Sequence, residues 1–194
     1  PAGVSFATDP GQFSLSPDGR RLALDLTAGG ITRIWVWRLD SVDLGPLAGT
    51  DGVTSWPVWS PDSQNIAFVS ANRLCRIPVI GGRIEAIEPA APRASFDWGE
   101  DETILTADGG TEPIRRVASS PGGRVEQITR LNPGERHEFP RFIPGLHRFF
   151  FFVRADPLRE GIWEGSLDGG TALRVLPAAV TASMAGDFVV YSVD

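Results

Sequence analysis

The sequence is poor in the residue types that build disulfides and metal sites. Its 194 residues include one cysteine and two histidines. A single cysteine excludes an internal disulfide and any metal site made of several cysteines. That residue, Cys75, lies in the alternating stretch RLCRIPV, which is typical of a half-buried strand. His137 and His147 form no HExxH motif and lack ligand spacing. We therefore predict no metal and no cofactor.

Long apolar runs and an excess of basic residues are also absent. The longest apolar run, FFFFV at 149–153, has the length of a strand, well below the roughly eighteen residues of a membrane span. The N-terminal PAGVSFATDP has no basic start and no apolar core, so no signal peptide is visible. The net charge of −6 does not favour a nucleic-acid partner. We expect no membrane insertion, and these features leave the compartment unknown.

What the sequence does contain is a repeated unit of strand, acidic turn and strand. SLSPDGRRLAL at 14–24 is followed 44 residues later by VWSPDSQNIAF at 58–68. Degenerate copies are FDWGEDETILTA at 96–107 and PRFIPGLHRFFFFV at 140–153, and SMAGDFVVYSV at 183–193 is a shortened one. Self-similarity at a period near forty residues is typical of repeat architectures.

Each full repeat continues into two more short strands. In the second repeat these are RLCRIPV and RIEAI, on either side of Gly81-Gly82. Glycine pairs permit the positive φ that tight hairpins need. Four short strands per unit at this period predict an all-β propeller of four complete four-stranded blades plus a partial fifth. We expect one domain over 1–194. Its repeats are predicted at about 11–50, 55–90, 94–131, 138–178 and 181–194.

The repeated segments resemble a known family. SPDGRRLAL, WSPDSQNIAF and GGRIEAI are similar to the TolB-like, WD-repeat-like β-propellers of bacteria. SPDSQNIAFVSANRLCRIPVIGG and EFPRFIPGLHRFFFFVR are similar to propeller regions attached to bacterial serine/threonine kinases. The resemblance covers about residues 11–193. It implies a propeller fold and favours a periplasmic or other extracytoplasmic location. Family members commonly have six or seven blades, which leaves ring closure open here.

Three arrangements would accommodate the incomplete fifth repeat. The N-terminal GVSFAT could add a strand to the C-terminal pair and close a five-bladed ring. The propeller could instead stay open and be completed by a partner, including a second copy in a homodimer through the open blade edge. The chain could also be a fragment of a longer propeller. We favour the first two, because a bare strand edge invites aggregation.

The SPDG and SPDS segments are predicted to be turns and not catalytic sites. Proline suits the second position of a type I turn, aspartate can accept hydrogen bonds from nearby amides, and glycine permits the conformation that follows. A nucleophilic serine needs a base within hydrogen-bond reach, and no histidine is close in sequence to Ser16 or Ser60. Trp59 and Trp98 share one repeat position, so we predict them to be core residues.

The candidate binding residues precede or begin the first strand of a repeat. In propellers such positions come near one mouth of the central channel, where ligands and peptides bind. The predicted group is Trp56, Arg93, Asp97, His137 and Arg141. The competing interpretation is that they are core residues or polar residues on loops and inner strands.

The function favoured by these observations is a non-enzymatic scaffold. It would bind a protein or peptide partner and act as the sensory or regulatory part of a larger bacterial protein, an expectation that rests largely on fold analogy. The alternative is a propeller enzyme, either a carbohydrate hydrolase or lyase or the accessory propeller of a serine peptidase. No nucleophile elbow or phosphate-binding glycine loop is visible in the sequence.

Overall fold

The regular elements of the chain are β-strands joined by turns. The structure, a computed structural model, describes residues 3–7, 13–109, 112–177, 179–185 and 188–193. Every regular element in these ranges is a strand, and every strand pairing is antiparallel. Within the same ranges we find no helix with the length and hydropathy of a membrane span.

Consecutive strands form the sheets. The first sheet contains β1 (Val4–Phe6), β2 (Phe13–Leu15), β3 (Arg21–Ala28), β4 (Ile31–Arg38) and β5 (Leu44–Pro46). The second contains β6 (Val58–Trp59), β7 (Asn65–Ser70), β8 (Arg73–Pro78) and β9 (Glu85–Pro89). The third contains β10 (Ser95–Trp98), β11 (Thr103–Ala107), β12 (Arg115–Ala118) and β13 (Val125–Gln127). The fourth contains β14 (Arg136–Phe142), β15 (Arg148–Arg154), β16 (Gly161–Ser166) and β17 (Leu173–Pro177). The fifth contains β18 (Ala179–Ala185) and β19 (Phe188–Val193).

This succession confirms the predicted β-propeller fold. Four meandering sheets of four strands are followed by a pair of strands, and each repeated sequence segment forms the first hairpin of its sheet. The chain divides into two compact units, residues 1–93 with 119–123 and residues 94–118 with 124–194. The first unit holds the first two sheets, and the second unit holds the other three.

The two SPD segments form the predicted turns, with matching hydrogen bonds. In the first, the Ser16 hydroxyl donates to Asp18 Oδ1 at 2.5 Å and accepts the Arg21 N–H at 2.9 Å. In the second, Ser60 and Asp62 repeat the hydroxyl–carboxylate bond at 2.5 Å. The pKa of each aspartate is lowered, and the hydrogen bond from the serine hydroxyl is the main cause. These residues therefore hold a turn together, as the sequence predicted.

The N-terminal strand does not occupy the place predicted for it in the fifth sheet. β1 pairs with β3 through Val4–Ala28, Ser5–Thr27 and Phe6–Leu26. β3 has eight residues and β2 only three, so β2 covers just the Leu22–Leu24 part of its edge. The rest of that edge is free to pair with β1. Completion of the C-terminal pair by GVSFAT is therefore wrong for the described part of this segment.

The phenylalanine run of β15 contributes to the core of the second unit on both faces of the strand. Successive residues of a strand point to opposite faces. Phe149, Phe151 and Val153 pack with Leu105 of the third sheet and with Ile114, which directly precedes β12. The alternate phenylalanines, 150 and 152, pack on the other face of the sheet with Ile143 and Ile162. Because both faces are buried, the sequence has an unbroken apolar run where a half-exposed strand would alternate.

Candidate functional site

Trp56 and Arg93 lie near each other on the surface of the first unit. The N–H of Arg93 donates to the carbonyl of Thr54 at 3.1 Å, which joins the two segments two residues before Trp56. Trp56 is 38% exposed, and Arg93 is also exposed. The buried Ser55, next to Trp56 in the chain, anchors this loop, because its hydroxyl accepts the Val69 N–H at 2.7 Å. We call this surface the Trp56–Arg93 patch.

The backbone of Arg93 is unusual. Its φ is +63°, a region that few residues other than glycine adopt. The bond to Thr54 holds this conformation in place. Residues held in such sparsely populated conformations are concentrated at functional sites.

Asp97 and Arg141 are brought together, but each is used to join two strands. Asp97 on β10 accepts the N–H of Phe142 on β14 at 2.8 Å. Arg141 on β14 donates through Nη1 to the carbonyl of Phe96 at 2.9 Å and to that of Pro140 at 3.2 Å. Burial raises the pKa of Asp97, although the charge of Arg141 opposes this rise. The pair therefore ties the first strands of the third and fourth sheets together.

His137 lies apart from that pair and is buried. Its imidazole Nδ1 is 2.9 Å from Thr129 Oγ1, which also accepts the N–H of Ile114 at 2.9 Å. The ring packs against Phe151, with centroids 4.8 Å apart. Burial lowers the pKa of His137 to about 4, against the opposing charge of Glu135. The imidazole is therefore neutral near pH 7. Its binding role, like that of the other four residues, stays a prediction.

His137 lines a cleft in the second unit. It has a volume of about 930 Å³ and separates the end of the third sheet from one face of the fourth. We call it the interblade cleft. Its apolar floor includes Phe151, Val153, Trp163 and Leu167, and polar groups stand around it. Sequence analysis did not predict this cleft. Its volume is within the range that is ordinary for ligand pockets.

An ion-pair network forms part of the lining of the interblade cleft. The buried carboxylate of Glu135 accepts hydrogen bonds from Arg159 Nε and, at 2.8 Å, from Asn132 Nδ2. Burial alone would raise the pKa of Glu135, but these bonds outweigh it and the pKa is lowered. The guanidinium of Arg159 lies over the Trp163 ring, 4.9 Å from its centroid. This network fixes the linker before β14 and the indole of the floor.

Comparison with the second sheet shows how the cleft arises. Strand register places Ala172 where the second sheet has Ile84, and His137 where the first unit has Val53. Ile84 and Val53 pack in the core between the first and second sheets. Ala172 removes side-chain volume, and His137 makes a core position polar. The linker is also longer, with eight residues between Ile128 and His137 where the first unit has five between Leu47 and Val53.

The part of the chain that the structure describes contains no group of three or more histidine, cysteine, aspartate or glutamate side chains suited to a metal ion. Trp59 and Trp98 are buried, as predicted. His147 lies in an exposed turn 3.5 Å from Asp168. Of the two histidines, His137 lines the interblade cleft and His147 does not.

Comparison with known proteins gave structural relatives but no sequence relatives. No family model matches the chain, and the search of curated proteins found no match. The chain is similar in structure to TolB from Acinetobacter baumannii, with a TM-score of 0.67 and 19% identity over 82% of this chain and 41% of that one. It is similar to prolyl oligopeptidase B from Galerina marginata, with a TM-score of 0.69 and 13% identity over 94% of this chain and 31% of that one.

A third structure is oligogalacturonate lyase from Vibrio parahaemolyticus, with a TM-score of 0.65 and 13% identity over 88% of this chain and 54% of that one. The chain thus spans between about a third and about half of the length of these proteins. At these identities the likeness shows the fold alone, and one fold carries many functions.

Proposed function

We propose that the chain is a non-enzymatic propeller module that binds a protein or peptide partner through the Trp56–Arg93 patch. The observation that carries this proposal is an exposed indole and an exposed arginine on adjoining segments held by backbone and Ser55 hydrogen bonds. Tryptophan and arginine are the residue types enriched at the energetic centres of protein interfaces. A preformed loop also loses less conformational entropy on binding than a mobile one.

The other predicted residues have a supporting role in this proposal. Asp97 and Arg141 hold two strands together, and His137 shapes the interblade cleft. We place the module within a larger bacterial protein as its sensory or regulatory part, with an extracytoplasmic location, in line with the sequence resemblance. A carbohydrate-active enzyme or a peptidase accessory propeller is the alternative, and no specific contact in the described residues favours it.

The experiment compares two tryptophans of equal exposure. Trp56 is 38% exposed and Trp37 is 39% exposed, and both belong to the first unit. A photo-reactive amino acid is placed at each position in turn, and cross-linked proteins from the native host are identified by mass spectrometry. We expect a discrete partner at position 56 that is absent at position 37.

The partner is then purified and its affinity measured by calorimetry. We expect Trp56→Ala and Arg93→Ala to weaken binding at least about tenfold, which corresponds to about 1.4 kcal/mol. Trp37→Ala and the exposed Arg83→Ala serve as controls and should change the affinity by less than about twofold. Equal cross-linking at both tryptophans, or an unchanged affinity for both patch variants, would contradict the proposed function.

A further inference from the structure

The interblade cleft is long and follows a strand. Its lining includes Trp163, Gly165 and Ser166 of β16, together with Arg159 before this strand and Gly170 after it. The six residues of β16 span about 20 Å at the rise of a β-strand. We propose that this cleft binds an extended peptide segment of about six residues, which pairs with the edge of β13 that no described strand covers. All the residues of this site belong to the second unit, so the proposal does not depend on the Trp56–Arg93 patch.

One wall of the cleft is a strand edge that no other strand covers in the part of the chain that the structure describes. β13 is the last strand of its sheet, and Glu126 and Gln127 line the cleft. The bonds from Ala118 N–H to the Arg124 carbonyl and from Ile128 N–H to the Ile114 carbonyl fix the ladder with β12. Because the bonded pairs alternate along an antiparallel ladder, Val125 and Gln127 direct their N–H and C=O groups away from β12. These groups provide the bonding pattern that an added strand needs.

The floor supplies positions for peptide side chains. Trp163 and Phe151 provide apolar surface, and beside them Ala172 leaves the volume that Ile84 fills in the second sheet. Alternate side chains of an extended peptide can enter this volume while the backbone pairs with β13. The β13 wall and the apolar floor can thus both contact the same extended peptide.

His137 adds a polar contact inside the apolar part. The Thr129 hydroxyl accepts the Ile114 N–H, and among the described residues the remaining neighbour for its own proton is His137 Nδ1. Donation of that proton leaves the neutral imidazole with its N–H at Nε2. The nearest acidic oxygen, on Glu135, is 3.8 Å from Nε2, beyond hydrogen-bond distance. We therefore assign Nε2–H as a donor to a peptide carbonyl or side-chain oxygen.

The test uses a library of seven-residue peptides, acetylated at the N-terminus and amidated at the C-terminus, screened against the whole chain. Binders are titrated while the backbone amides of β13 and the indole N–H of Trp163 are followed by NMR. We expect micromolar binders that shift the Val125 and Gln127 amides and the Trp163 indole. The same peptides with alternate N-methylated residues should bind at least about tenfold more weakly, because they cannot form the ladder.

Two variants separate the cleft from other surfaces. Ala172→Ile restores the residue type of the second sheet and should weaken binding at least about tenfold, whereas the exposed Ala48→Ile should leave it within about twofold. His137→Val, which restores the residue of the first unit, should weaken binding about three- to tenfold and leave the fold intact. Amide spectra of each free variant verify that the fold is retained.

The proposal is overturned if the library yields no binder tighter than about 100 μM, or if the binders tolerate Ala172→Ile and N-methylation. It is also overturned if single acetylated, amidated amino acids bind as tightly as the heptapeptides, since the cleft would then be a site for a compact ligand. Trp56→Ala should not change heptapeptide affinity. Failure of the patch and failure of the cleft are therefore distinguishable.

Discussion

His137 is a buried imidazole whose neutrality has a measurable consequence for stability. Its pKa falls from 6.5 to about 4 on folding because burial disfavours the charged ring. Between these values the unfolded chain binds a proton that the folded chain does not, so the free energy of unfolding decreases as the pH falls. Above pH 6.5 and below pH 4 this residue makes no further difference.

We expect the free energy of unfolding to drop by about 2 kcal/mol between pH 7.5 and pH 5 on account of His137. Urea unfolding at the two pH values measures it, and His137→Val supplies the reference because valine does not titrate. Asp97 has a raised pKa and acts in the opposite direction, but it is present in both proteins and cancels from the comparison. An equal pH dependence in the two proteins would contradict the burial of a neutral imidazole.

At the scale of the element, a strand position can require glycine because an aromatic ring packs where a Cβ would stand. Gly165 on β16 has no positive φ, yet a Cβ at this position would stand 2.7 Å from the ring of Phe149. Gly45 on β5 also has no positive φ, but a Cβ there would meet no atom within 4 Å. The two glycines therefore form a matched pair, in which only one is constrained by packing.

We expect Gly165→Ala to lower the free energy of unfolding by about 1–3 kcal/mol, because the ring of a fully buried Phe149 must move. Gly45→Ala should be neutral or stabilising by up to about 1 kcal/mol, since it restricts the unfolded chain at no steric cost. Chemical denaturation of both variants measures this difference. Similar stabilities for the two would show that Phe149 adjusts freely and that the contact is not limiting.

The elements that sequence analysis predicted are those whose determinants are local. The SPD turns follow from proline, aspartate and serine within six residues, and the structure confirms them. The interblade cleft has no such local determinant. It depends on the register that pairs Glu164 with Leu173, which puts Ala172 next in line before β17, and on the irregular register of β14 between Glu138 and Arg141, which brings His137 into the core. A sequence without known registers cannot place these residues side by side.

For the whole chain as well, features set by the repeated sequence could be predicted, and features set by contacts between distant segments could not. The repeat period predicted the number of sheets, because each sheet is one repeat of the sequence. The place of β1 could not be predicted, because it depends on how far β3 extends beyond β2. The strand that would complete the β18–β19 pair likewise cannot be predicted, because the repeated sequence does not contain it.

From the β18–β19 strand pair we predict that the chain associates with itself. β19 is the outer strand of a two-stranded sheet in the described part of the chain, and Val189, Val190 and Tyr191 are exposed on it. A strand with an unpaired edge and apolar side chains is a template for pairing with another strand, and a lysine on such an edge discourages this. The open-edge homodimer considered from the sequence therefore remains a prediction with a defined surface.

Sedimentation velocity between about 1 and 100 μM should show a dimer that forms with rising concentration, and Val190→Lys should weaken it at least about tenfold. Val42→Lys is the matched control, because Val42 is also exposed but lies in a turn outside the strands. A monomer over the whole range, or the same loss of association with Val42→Lys, would show that the edge of β19 does not pair. A dimer lost only with Val190→Lys would instead mean that the sheet edge is completed by a second copy.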